Sequence, residues 1–290
     1  DAFCVFDADN LVHLDFLAVM NTRLMKGQKV LQGYLSAKNP VDTWVSGTFA
    51  IAFWTVNHLW HLGKYNLGLS SCLGGTGMCI SADIVREFGW GCDCLTEDME
   101  FSMKCLSHGI RTCWVHDAII YDEKPLTFMA SWRQRKRWAQ GQFDCSERYI
   151  PILMKEGFKR HSIVVLDGIM QLLQNYFLLI SAFYLVMTYI NMFYPCFTVV
   201  LYNDALVPRQ FWSVLGTIQY VLPLIVLLQI EVPAKIYLYW LIYPVFMYSW
   251  VPVTFLGWIH RHEKQWVHTI HTRSMQFQAA SLTRKKEIDS

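Results

Sequence analysis

The chain lacks the short cysteine and glycine signatures that define several common classes of enzyme. None of its nine cysteines forms a Cys-x-x-Cys pair, and no spacing of cysteine with histidine is typical of a zinc site. The glycine-rich segment 74–77 is neither a G-x-G-x-x-G dinucleotide fingerprint nor a phosphate-binding loop that ends in Gly-Lys-Ser/Thr. Because the cysteines are scattered and several lie in apolar stretches, we expect free thiols in a reducing compartment.

Full charges are absent from three long segments, at about 175–202, 211–230 and 236–259. Each segment is long enough to cross the roughly 30 Å hydrocarbon core of a bilayer. Tyr, Trp and Phe are frequent near their ends, as in interfacial aromatic belts. The alternative is that they are core helices of a soluble protein, but three neutral spans in a row are rare in soluble folds. We therefore predict transmembrane helices in the second half of the chain.

Basic residues are concentrated next to these segments, and such a stretch suits the anionic cytoplasmic leaflet. The eight between residues 133 and 160 are Arg133, Arg135, Lys136, Arg137, Arg148, Lys155, Lys159 and Arg160. Residues 163–174 follow, where Asp167, Gln171 and Gln174 share one helical face and apolar residues fill the rest. This pattern predicts an interfacial helix that lies on the membrane.

The number of membrane crossings stays open at this point. Three crossings would place residues 260–290 on the opposite side of the membrane from residues 1–162. However, the basic residues of this tail favour the cytoplasmic side. Either the region 163–202 crosses twice, or one of the spans is interfacial or re-entrant.

Strand and helix patterns alternate before residue 162, which predicts an α/β layer architecture. The predicted strands are 2–6, 29–35, 78–80 and two short segments within 110–121, and the predicted helices are 14–25, 41–62, 82–88, 97–107 and 128–149. Ser81, Thr96 and Thr127 are predicted N-caps of the last three helices.

Asp7 and Asp9 directly follow the first predicted strand and lie on the same side of the extended chain. Their oxygens suit Mg²⁺ or Mn²⁺, which bridge phosphates and neutralise a departing diphosphate. Asn10 can add an oxygen or a hydrogen bond. An isolated Asp-x-Asp is more often a solvated turn, so the metal hypothesis depends on the two motifs that follow.

Thr96-Glu97-Asp98 stands at a predicted helix start. Acidic residues in a first turn complement the helix dipole, so the motif alone does not distinguish a structural role from a catalytic one. In the catalytic interpretation, one carboxylate is a general base that deprotonates an acceptor hydroxyl.

Gln134, Arg137 and Trp138 lie on one face of the next predicted helix. Arginine can fork onto phosphate oxygens, tryptophan offers a flat apolar face to a sugar ring, and glutamine offers an amide. The alternative is a basic helix apposed to the membrane, whose tryptophan marks the interface.

The order of these motifs resembles family 2 glycosyltransferases. Asp-Ala-Asp, Gly-Gly-Thr-Gly, Thr-Glu-Asp and Gln-x-x-Arg-Trp precede apolar spans, as in bacterial membrane-integrated enzymes similar to poly-N-acetylglucosamine, cellulose and hyaluronan synthases. The resemblance implies an α/β fold in which residues 1–162 are the C-terminal part of a GT-A domain without its first nucleotide-binding strands. Residues 163–259 would be an interfacial helix and transmembrane helices, and residues 260–290 a basic cytoplasmic tail.

The resemblance also implies the roles of individual residues. Asp98 would be the catalytic base, with Glu97 beside it, while Asp9 together with Asp7 would hold the metal. The residues implied in substrate binding are Asp7 for the nucleotide sugar, Gly75 and Thr76 near the acceptor, and Gln134, Arg137 and Trp138 for the diphosphate and acceptor.

The implied activity is inverting transfer of a hexose from a UDP-sugar to a growing β-linked polysaccharide at the cytoplasmic membrane face. We expect this chain by itself to be inactive, because the family's first strands would precede residue 1. The expected cofactor is Mg²⁺ or Mn²⁺. The expected partners are a UDP-sugar, a carbohydrate or lipid acceptor, the bilayer and accessory export proteins, but not nucleic acid.

Two alternatives stay open: a non-processive transferase that glycosylates a lipid, and a non-enzymatic transporter or scaffold. The uncharged spans argue against a transporter, because transport pathways usually need ionisable residues.

Overall fold

The described part of the protein consists of an α/β sheet layer followed by apolar helices. The computed structural model describes residues 1–194 and 209–263. The strands of its five-stranded sheet are β1 (Ala2–Val5), β2 (Leu11–Val12), β3 (Val30–Ala37), β4 (Met78–Ser81) and β5 (Thr112–Asp122). Their spatial order is β1-β4-β3-β5-β2, in which β3 and β5 run parallel and the other neighbours antiparallel. The predicted α/β architecture is confirmed.

β5 is one strand rather than the two short segments predicted. Val115 pairs with Gly33, but the next pair along the ladder joins Ile119 to Tyr34, so residues 116–118 form an irregularity. A Cβ at Gly33 would lie 2.6 Å from the Ala118 carbonyl oxygen. The glycine therefore allows the bulged segment to approach β3 and the strand to continue.

The helices before residue 173 agree with the predicted ones, apart from some ends and caps. They are α1 (Phe16–Met25), α2 (Trp44–Thr55), α3 (Leu62–Asn66), α4 (Ala82–Phe88), α5 (Glu97–Ser107), α6 (Phe128–Lys159) and α7 (Ile163–Leu172), and a π-helical segment, Val56–His61, joins α2 to α3. Thr127 caps α6 as predicted, because its Oγ1 accepts a hydrogen bond from the Ala130 N–H at 3.2 Å. Ser81 and Thr96 occupy the predicted N-cap positions, but neither makes a side-chain cap bond.

α6 continues ten residues beyond its predicted end and passes through Pro151. Proline in a helix interior removes one backbone hydrogen bond. The second half of α6 is held by packing on α7, since Leu153 is fully buried and a Cβ at Gly157 would lie 2.6 Å from Leu166 Cδ2. The packing of α6 on α7 therefore keeps the helix continuous through Pro151, although proline favours the end of a helix.

Apolar helices are present at all three predicted spans. They are α8 (Gln174–Phe193), α9 (Arg209–Gln229), α10 (Lys235–Tyr248) and α11 (Trp250–Ile259). α8, α9 and the combined segment Lys235–Ile259 are long and apolar enough to cross a membrane. Part of the first predicted span and most of the basic tail fall outside the described residues.

The main hydrophobic core continues from the sheet into the apolar helices. Phe49 and Trp54 of α2 belong to one cluster with Tyr34 and Trp114 of the sheet and with Phe246 of α10. α2 is therefore sandwiched between the sheet and the third apolar segment.

Candidate active site

One hydroxyl group docks the 7–10 loop onto the glycine-rich loop 74–77. Thr76 Oγ1 accepts hydrogen bonds from the Asp7 backbone N–H at 3.1 Å and from Asn10 Nδ2 at 2.7 Å. The segment that carries Asp7 and Asp9 is thus fixed at the end of β1, next to the turn before β4. Asp7 is exposed and Asp9 half-buried, so ligands can reach this segment.

The glycine-rich loop is held in turn by Gln32, a buried residue of β3. Its side-chain Nε2 donates to the Thr76 carbonyl at 3.0 Å, and its Oε1 accepts from the Gly74 N–H at 2.8 Å. In the sequence, Gln32 is only one residue of the predicted strand 29–35. The signal that could have revealed it is a lone amide in an otherwise apolar strand, because a buried amide needs hydrogen-bond partners.

Asp98 also contacts the glycine-rich loop. A Cβ at Gly75 would lie 3.3 Å from Asp98 Oδ2, and Gly75 has a φ of +78°, which favours glycine. The loop therefore contacts Asp98 through Gly75 and the 7–10 loop through Thr76. Four residues that the sequence predicted for one site, Asp7, Gly75, Thr76 and Asp98, are neighbours.

The surroundings of Asp98 change its acidity. Burial raises the pKa of its carboxyl to about 7, and the negative charge of Glu97 adds to this. A hydrogen bond from the Met99 N–H, at 2.7 Å, and the charge of Arg137 act in the opposite direction. A carboxyl that titrates near neutral pH has the proton affinity that a general base needs. Glu97 itself is exposed at the surface.

Arg137 joins α6 to the segment that precedes Asp98. Its Nη1 donates to the Leu95 carbonyl at 3.1 Å. Glu100 fixes the same segment from α5, accepting from the backbone N–H groups of Asp93 and Cys94 at 2.7 and 2.8 Å. Residues 93–95, which precede Asp98, are therefore hydrogen-bonded to both α5 and α6.

Several buried polar atoms at these motifs have no hydrogen-bond partner within the described ranges. They are Asn10 Oδ1, Thr96 Oγ1, Gln134 Oε1 and Arg137 Nε. A buried polar group without a partner costs about 1–3 kcal/mol. Both donors and acceptors are among these atoms, which suits a polar ligand that completes their bonds.

The oxygen atoms at the 7–10 loop fit a divalent ion that binds together with a phosphate ligand. Asp7 and Asp9 supply carboxylates, and Asn10 Oδ1 adds an oxygen without a protein partner. Among the residues described, no group of three or more His, Cys, Asp or Glu is arranged to hold a metal. Mg²⁺ is usually bound through one or two carboxylates together with substrate phosphates, and Asp7 and Asp9 would supply the carboxylates.

Trp138 lies in an aromatic cluster between α2 and α11. Its ring centroid is 6.0 Å from that of Phe49, 6.3 Å from Phe53 and 6.5 Å from Trp250. These contacts join the Gln-x-x-Arg-Trp segment to the apolar helices. The predicted stacking of Trp138 on a sugar stays a prediction.

The basic stretch of α6 is not uniformly a membrane-facing surface, and for Arg135 the prediction is wrong. Arg135 is fully buried, and its Nη1 donates to Ser249 Oγ at 2.8 Å, where α10 and α11 meet. Its guanidinium lies 4.5 Å from the ring centroid of Phe246. Burial lowers the pKa of this arginine to about 10. Arg133, in contrast, is exposed.

A comparison with protein-family models identifies the family to which the chain belongs. The family model described as glycosyl transferase family group 2 matches residues 2–258, which include all four motifs, the sheet and the apolar helices. The chain belongs to the family 2 glycosyltransferases. The predicted family, its GT-A α/β fold and its transferase class are thereby confirmed.

This family 2 glycosyltransferase is also similar to a curated bacterial protein. It is 26% identical over 144 residues to the probable glycosyltransferase YdaM of Bacillus subtilis (strain 168), a match that covers 49% of this chain and 34% of YdaM. The chain thus spans about a third of the length of this curated relative.

Proposed function

We propose that the protein transfers a hexose from a UDP-sugar to a growing β-linked polysaccharide, with inversion at the anomeric carbon. The observation that carries this proposal is the glycine-rich loop, which contacts Asp98 at Gly75 and the Asp7–Asn10 segment at Thr76, together with the raised pKa of the Asp98 carboxyl. A base and an anion-neutralising centre next to one loop suit the attack of an acceptor hydroxyl on a sugar diphosphate.

In this proposal, Asp98 takes the proton from the acceptor hydroxyl while that oxygen attacks the anomeric carbon. Arg137 offers a guanidinium to the diphosphate, and its buried Nε supplies a donor without a protein partner. Asp9 and Asp7 would hold a divalent ion. When bound, this ion supplies positive charge that stabilises the departing UDP.

The proposal is tested by incubating the full-length protein in membranes with a panel of labelled UDP-sugars and then sizing the products. We expect labelled polymer from one of the UDP-sugars, and no product when Asp9 is changed to Asn. A short glycolipid instead of a polymer would favour the non-processive alternative. The absence of any UDP-sugar turnover, with no metal-dependent UDP binding, would favour the transporter or scaffold.

We further propose that the chain crosses the membrane twice in the segment 174–229 and that residues 235–259 lie on the catalytic part without crossing. None of the most apolar stretch of α8 is buried against protein, compared with 17% of that of α9 and 28% of that of the third segment. Ile236 and Phe246 of α10 are buried against α2, but Leu241 on the opposite side is 61% exposed. A helix with protein on one face and lipid on the other can lie along the membrane surface without crossing it.

Two crossings also return the basic tail to the side of the catalytic part, which removes the conflict found in the sequence. In the same proposal, α7 lies between the α/β part and the membrane surface. Its Asp167 lies 2.6 Å from Lys64 Nζ of the α/β part, while Ile163 and Met170 are exposed on its outer face.

Reporter fusions test this topology. A periplasmic reporter such as alkaline phosphatase should be active when fused between residues 194 and 209, and a cytoplasmic fluorescent reporter should be active after residue 232 and after residue 290. Alkaline phosphatase activity at residue 290 would show a third crossing and contradict the proposal.

A further inference from the structure

A buried ion pair lies directly behind the 7–10 loop. Lys38 Nζ is 3.1 Å from Glu123 Oε2 and donates a hydrogen bond to the backbone carbonyl of Asp9 at 2.8 Å. The two side chains are only 3% and 4% exposed. Desolvation offsets much of the attraction within a buried ion pair, so a stabilising effect by itself does not explain this pair well. The bond from Lys38 to Asp9, a predicted metal ligand, points to a second role.

The pair is anchored at the ends of the two parallel strands. Lys38 follows β3, and its backbone N–H donates to the Asp122 carbonyl at 2.9 Å. The side chain of the next residue, Asn39, bonds both the N–H and the carbonyl of Lys124, at 2.8 and 2.9 Å. These bonds fix the backbone from which Lys38 reaches the loop, so its ammonium group is held at a defined position.

We propose that Lys38 is a positioning residue for Asp9, and that Glu123 orients Lys38 in this role. This inference rests on the proposed metal-binding function of Asp9. The loop is held at two points: Thr76 binds Asp7 and Asn10, and Lys38 binds the carbonyl of Asp9. Together these contacts fix the main chain that presents both carboxylates, as outer partners do for metal ligands in general.

A neighbouring ion pair supplies a matched control. Lys124 follows β5, the parallel neighbour of the strand that precedes Lys38, and its Nζ lies 2.9 Å from Asp122 Oδ2 with a side chain that is 2% exposed. Its ammonium also lies 3.4 Å from the ring centroid of Phe53. Lys124→Met therefore removes a buried, ion-paired lysine from the end of the neighbouring strand without removing the bond from Lys38 to Asp9.

The test measures binding of Mn²⁺ in the presence of UDP, by electron paramagnetic resonance of free Mn²⁺, with the full-length protein in detergent and without any sugar transfer. We expect Lys38→Met to weaken Mn²⁺ binding by about tenfold or more and Lys124→Met to leave it unchanged. Lys38→Arg should restore part of the affinity because it keeps a charged donor. Amide hydrogen exchange in residues 7–10, measured without metal, should be faster in Lys38→Met than in Lys124→Met.

A double variant guards against a trivial loss of folding. Lys38→Met leaves the buried Glu123 carboxylate without its lysine partner, which destabilises the fold. Lys38→Met/Glu123→Met removes both charges and therefore avoids the cost of an unpaired buried charge. If Lys38 positions Asp9, the double variant folds and still binds Mn²⁺ weakly. Recovery of normal affinity in the double variant would show a purely structural pair and overturn the inference.

Asp9→Asn separates this inference from the function on which it rests. Normal Mn²⁺ binding by Asp9→Asn would remove the metal role of Asp9 and the inference with it. Loss of binding in Asp9→Asn, together with equal binding by Lys38→Met and Lys124→Met, would overturn the role of Lys38 alone.

Discussion

Asp98 determines the pH at which the proposed reaction can proceed. A base must be deprotonated, so with a pKa of about 7 the turnover rate should fall as the pH drops below that value and level off above it. Asp98→Asn should lower turnover by about 10²-fold or more, and UDP binding should remain nearly intact. Initial rates between about pH 5 and about pH 9 provide the measurement.

Glu97→Gln is the matched control for this pH profile. Because the charge of Glu97 raises the pKa of Asp98, its removal should shift the acidic limb to lower pH without abolishing turnover. A mild Asp98→Asn and an inactive Glu97→Gln would show that the base is Glu97.

Asp98 should also influence the free energy of unfolding. The pKa of Asp98 is higher in the folded protein than its ordinary value of about 3.9, so the folded state disfavours the charged form. Wild-type stability is therefore lost as the pH rises from about 4 to about 7. Asp98→Asn should have a higher melting temperature than the wild type at about pH 8 and the same one below about pH 4. Melting temperatures that agree at both pH values would contradict the raised pKa.

Arg137 differs from the other basic residues of α6 in what its side chain touches. Arg137→Lys keeps the charge but loses the planar fork and the bond to the Leu95 carbonyl. We expect turnover to fall by about 10²-fold with little change in membrane association. Arg133→Lys, at an exposed position, should alter neither quantity. Equal, small effects on turnover in both variants would leave Arg137 as an ordinary contact of the membrane surface.

At the scale of elements, α6 connects the proposed catalytic centre to the apolar helices. α6 packs closely against Thr96, two residues before Asp98. A Cβ at Gly141 would lie 2.5 Å from Thr96 Oγ1 and 2.8 Å from the Thr96 backbone nitrogen. The glycine thus allows α6 to touch the N-cap residue of α5.

Gly141→Ala should separate these two helices. The added methyl group must push α6 away from Thr96, at a cost of about 1–3 kcal/mol in the free energy of unfolding, and turnover should fall because Arg137 moves with α6. Gly63→Ala is the control, because a Cβ there meets nothing within 4 Å; it should leave turnover unchanged and stabilise slightly. Wild-type kinetics in Gly141→Ala would show that this spacing does not matter.

The elements that the sequence predicts well are those with local signals. The strand that ends before Asp7, the cap of α6 at Thr127 and the presence of three apolar helices all follow from short-range patterns. The contacts that depend on distant residues do not. Lys38 and Glu123 are 85 residues apart, and nothing in the local pattern of either indicates the other.

Arg135 shows the same limit within a single helix. Helical spacing identifies residues that share a face, but it does not identify which faces another element will cover. Burial of Arg135 requires the aromatic rings of Phe246 and Trp250, more than a hundred positions along the chain.

At the scale of the whole molecule, Arg135 links the catalytic part to the third apolar segment. Arg135→Lys keeps a positive charge but loses the guanidinium that reaches Ser249 and lies over Phe246. A lysine ammonium is more strongly hydrated and is costly to bury. We expect the free energy of unfolding to fall by about 2–3 kcal/mol, against less than about 0.5 kcal/mol for the exposed Arg133→Lys. Thermal unfolding in detergent measures both, and equal melting temperatures would contradict the anchoring role.

The contact between α2 and α10 limits how this enzyme can be divided or re-engineered. Truncation before α9 would strip the cover from Phe49 and leave Arg135 without Ser249, so the shortened protein should aggregate rather than behave as a soluble catalytic domain. A water-soluble version is better sought by surface redesign of the intact chain. In such a redesign, the outward-facing Leu238, Leu241 and Tyr248 of α10, 61–72% exposed, are positions at which charged residues would not disturb the shared core. The exposed apolar residues of α8 and α9 would have to be replaced as well before detergent could be omitted.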